Sequence, residues 1–206
     1  MVLRTEALAL IEMDSVAVGL RALDALVKKA VVEVIEANLV EPGKYMVLFA
    51  GGVAEVEESY QEALRIAGEG VLGRMLLPRA HAGLLDGLRD PLAGAAVSRE
   101  APEKLDTLGV LEGSSVAATL EACDRALKDA DIELAGIRVA GGLGGRAYFV
   151  VYGVQHDVEA GIEAGEKVLR REDALHRVEL IPRPHREMVV WLLRPTPFSP
   201  SNANTR

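Results

Sequence analysis

The chain writes itself twice, and this feature constrains its fold more than any other. Leu77–His81 reads LPRAH and Ile181–His185 reads IPRPH, two near-copies of one pentapeptide. Displacing the sequence by 100 positions aligns Leu8 with Leu108, Glu12 with Glu112, Ser15–Ala17 with Ser115–Ala117, and Leu20 with Leu120. The identities continue with Ala22/Ala122, Asp24/Asp124, Lys28/Lys128, Ala30/Ala130 and Glu33/Glu133. Beyond Val40 the displacement becomes 102, with Gly51/Gly153, Val56/Val158 and Glu57/Glu159, and at the pentapeptides it is 104. Self-similarity at one long period marks a duplicated structural unit. The second copy has gained two residues near VAGGLGGR and two more late in its course. Insertions are tolerated in loops, so both places are expected to be loops.

Each copy carries the same signals in the same order. ALALIEM and DTLGVLEG are short apolar runs that predict strands. Ser15 and Ser115 stand where helix N-caps belong, and Val16, Leu20, Leu23, Val27 and Ala30 follow at helical spacing. VEVIEANLV and IELAGIRVA alternate as half-buried strands, and YMVLFAGG and AYFVVYG follow as further strands. Two amphipathic helices with acidic first turns come next, as the helix dipole favours. A strand ending at proline and a short helix near each histidine close the unit. The expected fold class is α/β, an antiparallel-rich α+β sandwich built twice as ferredoxin-like β-α-β-β-α-β-α. The expected domains are residues 1–96 and 97–194, with a boundary near GAAVSREAPEK. A proline-rich tail over 195–206 is expected to be disordered.

Composition narrows the chemistry. The net charge is −8, which argues against nucleic acid as a partner, because phosphate binding needs a basic face. No apolar run approaches the ~18–20 residues of a membrane-spanning helix, so no membrane partner is expected. The apolar start of the chain is interrupted by Glu6 and Glu12 and reads as a strand rather than a leader. The single cysteine, Cys123, supports neither a disulfide framework nor a thiolate metal site, and a reducing cytosol suits it. Cys123 is expected to be buried on an apolar helix face. GGLGG at Gly141–Gly145 is followed by a strand, whereas a phosphate cradle needs a helix there, so a strand-to-strand loop is expected. The four histidines show no metal-ligand spacing, and His81 and His185 read as helix-end hydrogen-bonding groups. No catalytic constellation is present.

Taken in order, the Glu, Ser-Val, Ala-Asp-x-x-x-Lys-x-Ala and Pro-Arg-x-His elements resemble the bacterial microcompartment (BMC) shell-protein domain. The likeness runs twice from Ala7 to about Leu193 and is similar to the tandem, non-permuted class. That resemblance implies a structural, non-enzymatic protein of a cytoplasmic microcompartment shell. It implies a homotrimer that mimics a hexamer, and partners among other BMC hexamers, pentamers and trimers. It also implies a tile edge at Lys28, Arg79, His81, Lys128, Arg183 and His185. A central metabolite pore would be lined by Val40, Glu41, Pro42 and Gly43 from one copy. Ala140, Gly141, Gly142, Leu143, Gly144 and Gly145 would line it from the other. Small residues suit loops crowding an axis. The Pro-Gly-Lys stretch is similar to that of propanediol-type tandem members, which hold an iron–sulfur cluster through a preceding cysteine. Glu41 occupies that position here, and a hard oxygen donor is a poor [4Fe–4S] ligand, so no cofactor is expected. A ring of three Glu41 carboxylates binding a cation is the alternative reading of the pore.

Overall fold

The computed structural model describes residues 6–89, 105–185 and 187–188. The first copy runs β1 (Ala7–Met13), α1 (Val16–Lys29), β2 (Glu33–Val40), β3 (Lys44–Gly51), α2 (Val53–Ala67), β4 (Val71–Leu77) and α3 (Ala82–Arg89). The second runs β5 (Thr107–Gly113), α4 (Val116–Asp129), β6 (Glu133–Val139), β7 (Ala147–Gly153), α5 (Gln155–Arg171) and β8 (Leu175–Pro182). Glu187 and Met188 are helical, at the place where α3 begins in the first copy. The expected domain boundary and the tail lie outside the described residues.

Local sequence explains the element ends. Ser15 and Ser115 both adopt extended backbone, and their hydroxyls accept from the N–H groups of Val18 and Ala118, at 3.4 and 3.3 Å. Each therefore satisfies one N–H that the helix start leaves without an intrahelical partner. The late insertion is not in a loop. It extends α5 to 17 residues where α2 has 15. In the first copy Gly68, at φ 55°, ends the helix. The second copy has no glycine at that point, and its helix continues through Arg170 and Arg171. The early insertion is a loop, as expected. Ala140, Gly142, Gly144 and Gly145 all have positive φ there, which explains the glycine content.

Each copy forms one four-stranded sheet, ordered β2-β3-β1-β4 and β6-β7-β5-β8, with every neighbour antiparallel. The twice-built α/β sandwich expected from sequence is the fold observed. In the first copy Ala9, Ile11, Met13, Val47 and Phe49 face their own helices and pack with Ala22, Leu26, Val56 and Ala63. The alternate residues Leu8, Leu10, Met46, Leu48 and Met75 point the other way. They share one buried cluster with Val116, Leu120, Cys123 and Leu127 of α4. β1 is therefore buried on both faces. Each fully buried leucine on the second face contributes about 1.5–3 kcal/mol, so the two copies are joined by a core rather than by a linker alone.

Candidate functional site: the seam between the copies and the paired loops

The seam is built from the end of β4, α3 and the outer face of the first sheet, against α4 and β6 of the second copy. Asp124 is one helical turn before Lys128, which places both on the same face of α4. The Asp124 carboxylate, almost fully buried, accepts the main-chain N–H of His81 at 2.7 Å. Lys128 donates its ammonium both to Asp124 and to the main-chain carbonyl of Arg79. The Pro-Arg-x-His segment of the first copy is thus gripped through its backbone by two α4 side chains. His81 then starts α3, its Nδ1 accepting from Gly83 N–H at 3.2 Å. The His185 Nδ1 accepts in the same way from Glu187 N–H at 3.4 Å, so both histidines fill the helix-end role expected of them. Gly87 of α3 lies so near β6 that a Cβ would come within 2.5 Å of Leu134. Arg89 closes this end of the molecule with an ion pair to Glu33.

A second polar contact lies deeper in the seam. Glu12, only 3% exposed, projects from the outer face of β1 towards the start of α4. The backbone N–H of Ala117 hydrogen-bonds its carboxylate. Its Oε1 has no hydrogen-bond partner among the described residues. Burial pushes the Glu12 carboxyl above the usual carboxylate range, and Lys44 and the Ala117 N–H oppose that shift. Gly73, opposite Glu12 in the register, leaves the space for it: a Cβ there would meet Oε2 at 2.5 Å.

At one end of the sheets the two interstrand loops meet. The backbone N–H of Gly144 donates to Glu41 Oε2 at 3.3 Å. A side chain on Gly145 would place its Cβ 2.8 Å from the Glu41 carbonyl oxygen, so this glycine is required by close approach of the other loop as well as by its φ of 80°. Val40, Ala140 and Gly145 are buried at the loop bases. Glu41, Pro42, Gly43, Gly141, Gly142 and Gly144 are exposed, and Leu143 is half-buried. Arg146 braces the longer loop, donating to the Leu143 carbonyl at 3.2 Å and lying 2.7 Å from His176 Nε2.

The structure therefore brings Lys128, Arg79 and His81 together and sets Glu41 beside Gly144. It leaves Lys28, Arg183 and His185 apart from that cluster. Among the described residues Lys28 pairs with Asp24, at 2.7 Å, and both side chains are well exposed. Cys123 is buried, and burial raises its thiol pKa well above the ordinary value, with Asp124 adding to the effect. Sequence reasoning missed Asp124 and Glu12 as seam residues. Both identities, Asp24/Asp124 and Glu12/Glu112, were visible in the repeat, and a carboxylate kept in each copy was the available signal.

A family model described as the BMC domain matches residues 7–80 and again residues 107–184. The chain belongs to the BMC-domain family. It is 30% identical over 184 residues to the microcompartment shell protein PduT of Citrobacter freundii, covering 89% of this chain and 96% of that one. One half matches the single-domain shell protein EutM of Salmonella typhimurium, 32% identical over 84 residues, 41% of this chain and 85% of EutM. Among solved structures, a microcompartment protein from Desulfitobacterium hafniense superposes with a TM-score of 0.78 at 32% identity, covering 89% of this chain and 97% of that chain. A fused permuted hexameric shell protein shares the fold, with a TM-score of 0.55 at 18% identity, covering 81% of this chain and 85% of its own. This BMC protein is a structural shell component of a bacterial microcompartment and not an enzyme.

Proposed function

We propose that three copies of this BMC protein close into a pseudohexameric ring that tiles a shell facet, with the paired loops around a central pore. One observation carries this reading. α4 has its outer apolar face covered, with Leu120 at 0% and Leu127 at 5% exposure, whereas the repeat-equivalent Leu20 and Val27 on α1 are 52% and 45% exposed. Among the described residues, one helix face thus lacks the cover that its twin receives. A contact that joins unlike surfaces head to tail forms a closed ring when its rotation closes. Two domains per chain and six places per ring make that number three. Light scattering should give three times the chain mass of 22.0 kDa; a stable monomer at micromolar concentration would sink the reading.

The protein works with other BMC shell proteins, and hexamers, pentamers and trimers are the proposed neighbours at its edges. Arg79 and Arg183 are both exposed. The seam uses the main chain of Arg79, so its guanidinium can serve a contact between tiles. The resemblance assigns Lys28, Lys128, His81 and His185 to this edge as well. Replacing Arg79 and Arg183 together by alanine should leave the trimer intact and raise the concentration needed to form extended sheets, seen by electron microscopy. Sheets forming as in the parent would remove both arginines from the edge. Val40–Gly43 and Ala140–Gly145 are the proposed pore segments. Glu41 stands among them with a carboxylate that would favour cations, and Glu41→Gln should lower the cation-over-anion selectivity of the reconstituted pore.

A further inference from the structure

We infer that Asp24 and Lys28 of α1 form a receptor for the main chain at Arg183–His185 of a second copy of this chain. This rests on the ring proposed above and specifies the contact between its subunits, which differs from the edge role given to Lys28 by sequence.

The inference follows from a complete and an incomplete version of one device within one molecule. In the complete version, Asp124 takes the His81 N–H at 2.7 Å and Lys128 takes the Arg79 carbonyl. In the incomplete version the same two side chains stand one turn apart on α1, already joined to each other at 2.7 Å. The two helices are built alike. Both have 14 residues, both are capped by the serine hydroxyl, and both end at an extended alanine, Ala30 at φ −148° and Ala130 at φ −142°. The Asp–Lys pair is the same on both helices and differs in its cover. The side chains of Lys28 and Asp24 are 72% and 61% exposed, those of Lys128 and Asp124 39% and 6%. The apolar flank differs in the same way, Leu20 and Val27 against Leu120 and Leu127.

The matching ligand is also present and unused. The second Pro-Arg-x-His segment leaves β8 at an exposed Arg183 and reaches an exposed His185. Its main-chain N–H at His185 has no acceptor among the described residues. Among the described residues no hydrogen bond joins this segment to Asp24 or Lys28 of its own chain. A second copy supplies the geometry: Asp24 accepts the N–H of the partner subunit's His185, and Lys28 donates to the carbonyl of the partner subunit's Arg183. One local difference accompanies this. Ala80 N–H is bonded to the Glu6 carbonyl in the first copy, whereas Pro184 has no N–H and Arg183 makes the equivalent bond to Asp106. Arg183 has φ 49°.

Disulfide trapping tests the inference in the full chain. With Asp24→Cys and His185→Cys together, mild oxidation should give covalent dimers and trimers on a denaturing gel, and either substitution alone should not. His81→Cys with Asp124→Cys, which closes within one chain, sets the standard for rate. In a second measurement, Lys28→Ala and Asp24→Asn should each raise the concentration at which the trimer dissociates by about tenfold or more, with the monomer's circular dichroism unchanged. If the trimer forms but yields no ladder while the standard closes, or if both substitutions dissociate as the parent does, the inference is overturned and the ring survives. If the parent itself is monomeric, it is the ring that fails.

Discussion

Asp124→Ala removes the acceptor at the centre of the seam, and its cost can be worked from the contacts. The bond from His81 N–H is short, 2.7 Å, partly buried, and made to a carboxylate oxygen. Hydrogen bonds to charged groups contribute about 1.5–3 kcal/mol, and the N–H left behind has no other protein acceptor in place. The Lys128 pair adds less, because the ammonium is 39% exposed and solvent screens it; such pairs contribute about 0–1 kcal/mol. The expected loss is therefore about 1.5–4 kcal/mol. Asp24→Ala supplies the internal control. In a dissociated chain its carboxylate touches only Lys28, both exposed, so its cost should stay within about 0.5 kcal/mol. Urea unfolding followed by far-ultraviolet circular dichroism, at a fixed concentration below trimer dissociation, compares the two. Equal slopes make the midpoint difference a stability difference. An Asp124→Ala cost below about 1 kcal/mol, or one equal to that of Asp24→Ala, would refute the assignment of the seam to this carboxylate.

Two further outcomes are expected. Burial raises the Glu12 carboxyl in the folded chain above the ordinary glutamate value, so the fold favours its protonated form. Its contribution to stability is therefore full below that value and declines as pH rises through the raised pKa. Glu12→Gln should lose less urea resistance than the parent between pH 4.5 and pH 7.5, and parallel losses would remove Glu12 as the cause. Gly109→Ala would place a Cβ 2.5 Å from Ile162 Cγ1 and 2.9 Å from Val158 Cγ1. Overpacking of this kind costs about 1–3 kcal/mol. Adding Ile162→Ala should bring the double variant below the sum of the two single costs in thermal unfolding, and strict additivity would contradict the packing.

Much of this molecule is decided locally, and there the sequence is a sufficient guide. Ser15 and Ser115 cap helices because a hydroxyl at that position satisfies an N–H with no intrahelical partner. The apolar runs of β1 and β5 and the alternation in β2 and β6 specify strands, and the repeat specifies one unit built twice. The glycine loop is legible because positive φ has a residue-level signature. What the sequence could not contain is which copy's surfaces are covered. Leu20 and Leu120 are the same residue at the same position of equivalent helices, yet one is half in water and the other is fully buried. Asp24 and Asp124 diverge in the same way. Helical spacing reports that a face is apolar, but its partner is set by a sheet far away in the chain. Only the docking of the first copy's outer sheet face onto α4 makes Asp124 a seam residue, gives Lys128 the Arg79 carbonyl, and leaves the twin site on α1 without its cover.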